Sequence, residues 1–218
     1  MLRSVNSLIG YSILATDGTV GRIDDLFFDD KTWSTAYLSV KVGGAPDPGR
    51  VLLPPTALGG PDWQRKELSV VYTREQVTGS LALGPVARGG MWRSDPDDPH
   101  LRSTRELIGY RIQAADSMIG HLEDIIADDS TWTICHIVDI AEWLGGNEGL
   151  IAMSRVQRIV EDEQRLYVDF TKEMMLRNPG FSPSARVGRE YHHSAVLSPV
   201  RAGGGCVRRR RRCDQQFA

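Results

Sequence analysis

Leu8-Ile9-Gly10-Tyr11 returns ninety-nine residues later as Leu107-Ile108-Gly109-Tyr110, and the correspondence runs without a gap to Trp33 and Trp132. Over that stretch half of the aligned pairs are identical, among them Ile13/Ile112, Ala15/Ala114, Asp17/Asp116, Gly21/Gly120, Asp25/Asp124, Asp29/Asp128, Asp30/Asp129 and Thr32/Thr131. Others keep their character, as in Val20/Ile119, Ile23/Leu122, Asp24/Glu123 and Leu26/Ile125. One unit is written twice, and such a repeat constrains the fold more than any local propensity. In a chain of 218 residues, an offset near 100 selects two small domains over one large one.

Each unit reads as short strands divided by turn chemistry. In the first, from about Asn6 to Leu83, Asp17-Gly18 is a hairpin signal joining a strand at Ile13–Ala15 to one at Val20–Asp29. Late in the second of these strands apolar residues occupy both faces, which predicts a bend or bulge at the core. Asp29-Asp30-Lys31-Thr32 forms the next turn, and a strand follows from Trp33 to about Val42. After the Pro/Gly-rich 43–49 come short strands at Val51–Leu53 and Leu68–Tyr72. The second unit, from about Arg105 to Phe181, predicts strands near 112–114, 119–128, 131–140, 149–152 and 166–170. Thr73-Arg74-Glu75 and Thr171-Lys172-Glu173 each look like a capped helix opening.

The expected fold class is therefore mainly β: two small barrels in tandem, closed or nearly closed because closure removes exposed edges, with short helical turns. The expected domains are a first barrel over 1–84, a linker over 85–103, a second barrel over 104–181 and a disordered basic tail over 182–218. The tail holds eight arginines against two acids, a net +6, so within an overall −2 the remaining residues carry −8. No apolar run is long enough to span a membrane, and the first residues do not read as a signal peptide, so a cytoplasmic chain is the simplest expectation.

The ordered set of Leu-Ile-Gly-Tyr, an Asp-Gly or Asp-Ser turn, a following Gly, then Ile-Asp-Asp-Leu-Phe-Phe-Asp-Asp or Leu-Glu-Asp-Ile-Ile-Ala-Asp-Asp and a Trp-led strand resembles the PRC-barrel family. The resemblance covers both repeats and omits linker and tail. It implies a compact β-barrel similar to the cytoplasmic domain of the photosynthetic reaction-centre H subunit and to the C-terminal domain of a ribosome-maturation factor. In the first the barrel caps a membrane complex; in the second it docks on ribosomal protein. The chain lacks the N-terminal membrane helix of an H subunit and the distinct N-terminal barrel of the ribosome factor.

The repeated acids can be read as a cation site, since hard cations need several convergent oxygens, or as turn aspartates that bond the backbone two residues on. Asp25 and Asp124 stand apart because they alternate with apolar neighbours, and they are candidate partner-binding residues. Arg208, Arg209, Arg210, Arg211 and Arg212 are the others, able to contact the phosphates of nucleic acid or anionic lipid. His192-His193 with Cys206 and Cys213 lack the tight spacing of a zinc site, and Cys135 and His136, adjacent on one strand, point to opposite faces. Trp33 and Trp132 pack where a strand begins, or offer an aromatic docking surface. With no phosphate loop, nucleophile elbow or zinc-protease motif, the expectation is a non-catalytic adaptor, without catalytic, cofactor or metal residues. Its partner would be a protein, such as a photosynthetic reaction centre or another membrane complex at the inner face of a membrane, and self-association is a further arrangement. The alternative is an RNA- or ribosome-associated maturation factor using the arginine tail.

Overall fold

In the computed structural model of the protein, residues 1–43, 49–79, 99–141, 147–177 and 190–191 are described. Two antiparallel-dominated sheets account for most of them. The first is built on β2 (Ser12–Ala15), β3 (Gly18–Asp29), β4 (Thr35–Val42), β5 (Gly49–Leu53), β6 (Leu58–Asp62) and β7 (Glu67–Val70), in the order β5-β4-β3-β2-β7-β6. The second uses β9 (Arg111–Gln113), β10 (Met118–Asp128), β11 (Thr133–Ala141), β12 (Asn147–Ala152), β13 (Val156–Val160) and β14 (Arg165–Val168), in the order β12-β11-β10-β9-β14-β13. The two paths are identical strand for strand. In each, one pairing is parallel, β2 with β7 and β9 with β14, and it curls the meander back on itself. The ladder stops between β5 and β6, where a 3-10 turn at Pro55–Ala57 spans the gap; Met153–Arg155 does the same between β12 and β13.

The strands fall close to their expected places, with differences that have local causes. The first hairpin turns on Thr16 and Asp17, because Gly18 already pairs with Ala15. Both faces of late β3 are buried, Leu26 and Phe28 inward and Phe27 on the other side, and the bend expected there is a pair of register shifts, at Ile23/Asp25 and Phe27/Phe28. Thr73 caps α2 (Arg74–Gly79) reciprocally with Gln76: Gln76 N donates to Thr73 Oγ1 (3.2 Å) and Thr73 N to Gln76 Oε1 (2.9 Å). Thr171 likewise accepts from Met174 N at α4 (Lys172–Arg177). Strands β6 and β13 were not expected: Gly59-Gly60-Pro61 reads as a loop, and β13 lacks alternation.

Gly10 and Gly109 of the repeated Leu-Ile-Gly-Tyr have φ of +86° and +89°, a region in which a side chain is strained, and the Gly N–H in each reaches back to β3 or β10, at Ile23 O and Leu122 O. Gly21 is required for a different reason. A Cβ there would collide with the Lys41 carbonyl and crowd Val40, backbone that β4 cannot yield. Gly21→Ala is expected to lower unfolding stability by more than about 2 kcal/mol, as overpacking of a rigid strand does. Chemical denaturation of the variant measures this, and a loss under about 0.5 kcal/mol would contradict the packing.

The largest departure concerns which strand belongs to which barrel. β1 (Leu2–Ser4) does not join the first sheet: it pairs antiparallel with β10 of the second, Leu2 opposite Asp128 and Ser4 opposite Ile126. β8 (Leu101–Ser103) pairs with β3 of the first, Leu101 opposite Asp29 and Ser103 opposite Phe27. Each repeat thus lends its leading strand to the other. The boundary expected at 103/104 does not divide the sheets, since 101–103, placed in the linker, is strand. The barrels share one interior: a single cluster of buried apolar side chains runs from Val5, Ile13 and Phe28 through Ile112, Ile125 and Phe170. Of the tail expected to be disordered, Glu190–Tyr191 is described as β15, a short strand beside β1.

Candidate functional site

The exchanged strands lead into four-residue helices, α1 (Val5–Leu8) and α3 (Thr104–Leu107), each capped by the serine that ends the strand. Ser4 Oγ accepts from Ser7 N (3.0 Å) and Ser103 Oγ from Glu106 N (3.1 Å). The same hydroxyls donate across to the other barrel, Ser4 to Asp124 Oδ2 and Ser103 to Asp25 Oδ2, both at 2.5 Å. Asp25 also accepts from Thr104 Oγ1 (2.9 Å), Arg105 N (3.2 Å) and its own neighbour Leu26 N (2.8 Å); Asp124 accepts from Asn6 N (3.2 Å) and Ile125 N (2.7 Å). Both carboxylates are buried, at 3% and 4% exposure, and their oxygens are held by donors of the borrowed strand–helix unit. A buried carboxylate is tolerated when so many donors converge.

Between these two locks the halves touch directly. Trp33 and Trp132 adopt left-handed backbone, φ +58° and +55°, which costs a bulky residue about 1–2 kcal/mol. Their N–H groups close the preceding turns on Asp29 O and Asp128 O, and their carbonyls swing to the opposite barrel: Thr35 N donates to Trp132 O (2.9 Å) and Ile134 N to Trp33 O (2.7 Å). Ser34 and Thr133 bridge between them. The indoles are buried, so they pack and do not present a docking face.

The central residues of the exchanged strands are equivalent arginines in different company. Arg3 stacks on Trp63, 4.5 Å from the ring centroid, with Nε 3.5 Å from Asp129. Arg102 pairs with Asp30 (2.9 Å) and with Glu161 (2.6 Å), and His100 Nδ1 lies 2.9 Å from the same Asp30. Here an open cleft of about 300 Å³ lies between the repeats, lined by Asp30, Trp33, His100, Arg102, Arg158 and Ile159 among others.

The remaining repeated acids are spent on backbone. Asp29 Oδ1 accepts from Lys31 N, Thr32 N and Thr32 Oγ1; its carboxyl, which burial would push up, is held below the usual carboxylate range by these bonds. Asp128 accepts from Ser130 N and Oγ. Asp17 and Asp116 receive the first amides of α2 and α4, Arg74 N (2.7 Å) and Lys172 N (3.0 Å). Among the described residues no three His, Cys, Asp or Glu side chains gather as a metal would need. Cys135 is buried, its thiol donating to Thr133 O (3.5 Å). Arg208–Arg212, His192-His193, Cys206 and Cys213 lie outside the described residues.

Two polar features were missed. One is the pair of locking serines, although Leu2-Arg3-Ser4 and Leu101-Arg102-Ser103 are identical at the same offset of ninety-nine and extend the repeat six residues upstream. The other is Asp139, fully buried on β11 with neither carboxylate oxygen hydrogen-bonded among the described residues.

The two repeats thus form interlocked, nearly closed barrels of one strand order, with their repeated polar residues committed to turns, caps and strand exchange. Residues 2–72 match the family model of the PRC-barrel domain, so the first repeat is a PRC-barrel domain. No curated protein matches the chain. No helix among the described residues is long and apolar enough to cross a membrane.

Proposed function

We propose that the chain is a non-catalytic adaptor in which two PRC-type barrels, one over 1–84 and one over 104–181 with their leading strands exchanged, present divergent outer faces to a protein partner. The reciprocal lock at Asp25 and Asp124 carries this reading: it joins the repeats into one body and commits the two repeated buried carboxylates to holding the exchanged strands. Linking two binding faces rigidly raises avidity through effective concentration. The partner we favour is a membrane-bound complex at the cytoplasmic face, of the photosynthetic reaction-centre kind. Co-purification from solubilised membranes at physiological salt tests it: retention of a membrane complex is the expected result, and recovery of soluble proteins alone counts against it.

The run Arg208–Arg212 favours a second reading, an RNA- or ribosome-associated maturation factor. Binding would then fall steeply with salt and vanish on removal of 206–218. RNA binding that ignores salt, or survives the truncation, eliminates it.

A further inference from the structure

Comparing the two sheets at one register line isolates a surface that the fold does not require. Across the first sheet, Glu67, Ser12, Arg22, Lys41 and Arg50 stand opposite one another on β7, β2, β3, β4 and β5. At the equivalent places of the second sheet stand Arg165, Arg111, His121, Ile140 and Glu148. The same barrel is thus built with the charges at both ends of the line reversed. What distinguishes the first is three consecutive cations on adjacent strands, Arg22, Lys41 and Arg50, joined by Arg105 from α3 of the other repeat. Directly opposed residues share one face of a sheet, and neighbouring strands are about 4.8 Å apart, so three cations occupy a line of roughly 10 Å.

One carboxylate sits under this cluster. Asp24 is only 3% exposed, and Lys41 Nζ (2.7 Å), Arg105 (3.1 Å) and Arg50 (3.3 Å) converge on it. Burial would raise its carboxyl, but Lys41, Arg105 and Arg50 outweigh that and hold it below the usual range. Asp24 offsets one of four positive charges. Arg22 is exposed, and Lys41 and Arg105 keep 41% and 53% of their side-chain surface in water.

We propose that this face of the first barrel, formed by Arg22, Lys41, Arg50 and Arg105, docks a short acidic segment of a protein partner. Asp24 supplies the pattern for recognition: a carboxylate already forms ion pairs with three of these cations, and further carboxylates spaced along an extended peptide meet the outward part of the same groups. A nucleic acid fits less well, because a long polyanion also meets a body carrying −8 outside the tail. The proposal deepens the adaptor reading and rests on it.

The probe is a fluorescein-labelled octaglutamate peptide, titrated at low salt into the full-length chain and followed by anisotropy. Arg22→Ala/Arg105→Ala removes the most exposed cations while leaving the Arg105 backbone bond to Asp25. Binding about tenfold weaker than wild type is expected, with substantial recovery in Arg22→Lys/Arg105→Lys and no loss when Arg208–Arg212 are all replaced by alanine. Unchanged binding in the alanine pair, loss only in the tail variant, or displacement of the peptide by a single-stranded oligonucleotide of equal charge at lower concentration overturns the proposal. Those outcomes leave the co-purification result standing, so failure of the surface and failure of the adaptor reading are separate observations.

Discussion

Replacing Asp139 with valine is expected to stabilise the protein by roughly 4 kcal/mol above pH ~7, and by much less near pH 4. The opposite strand-pair in the first barrel shows why. Val40 on β4 faces Val51 on β5, exposed 0% and 2%; the corresponding pair on β11 and β12 is Asp139 and Gly149. An acid replaces one valine, and the side chain of the other is gone. Leu122 lies across from Asp139 on β10 and Ile137 precedes it on the same inward face, both fully buried or nearly so. Burial pushes the Asp139 carboxyl from 3.8 to about 7, with only the nearby backbone N–H of His121, short of a well-formed hydrogen bond, acting in the other direction. A carboxyl raised on folding is neutral in both states below 3.8 and harmless there. As pH climbs towards about 7 the unfolded chain ionises first, so stability falls across that window and levels off above it. Asp139→Val removes this slope, and Asp139→Asn removes it while keeping a polar group buried. Urea denaturation at several pH values gives the comparison. A wild-type stability that is flat between pH ~4 and ~7, or identical in the valine variant, would show that the carboxyl is accommodated in some other way.

The second large effect belongs to the lock. Asp25→Ala withdraws the acceptor from Ser103 Oγ, Thr104 Oγ1, Arg105 N and Leu26 N together, all buried or partly so. A buried donor left without a partner costs about 1–3 kcal/mol, so a loss of at least roughly 4 kcal/mol is expected. Its distribution is more diagnostic than its size. Residues 101–107 belong to the second repeat in sequence and to the first sheet in space, so faster amide exchange is expected at Leu101–Leu107 and on late β3 alike. Asp124→Ala should give the mirror result at Leu2–Leu8 and late β10, with a smaller loss because Val5 occupies the place of Thr104 and donates no hydroxyl bond. A penalty below about 1 kcal/mol, or exchange confined to one repeat, contradicts the reciprocal arrangement.

Much of the architecture was legible in the chain because it depends on local rules. The period-2 pattern over 36–42, the Asp-led turns and the threonine caps each determine their element from neighbouring residues. The special character of Asp25 and Asp124 was also visible, since an acid alternating with apolar residues needs donors. What those donors were was not, because alternation identifies a face and cannot say which chain segment covers it. The two copies of β3 accept strands of the same Leu-Arg-Ser sequence, so either barrel could in principle take either strand; connection geometry decides. Three-residue strands flanked by Pro-Asp-rich sequence look like linker for the same reason. Left-handed tryptophans are equally hidden, since nothing intrinsic to Trp33 or Trp132 favours φ near +55°, and only the carbonyl bonds across the junction explain it. Asp139 was obscured by position: in a strand predicted from a Trp-led pattern, one acid among Ile and Val reads as the solvent side, and a bulge at Cys135 turns it inward.

Exchange of leading strands also dictates an order of events while the protein is being made. When the first eighty residues have left the ribosome, β3 has an empty slot along its far end, and Leu2–Ser4 has no strand to lie against. The slot is filled when 101–103 emerges, but the amino-terminal strand must wait until β10 has been synthesised to Asp128. The nascent chain therefore completes the first barrel only once the second repeat has begun to emerge, and Leu2–Ser4 stays unpaired until past the midpoint of the chain.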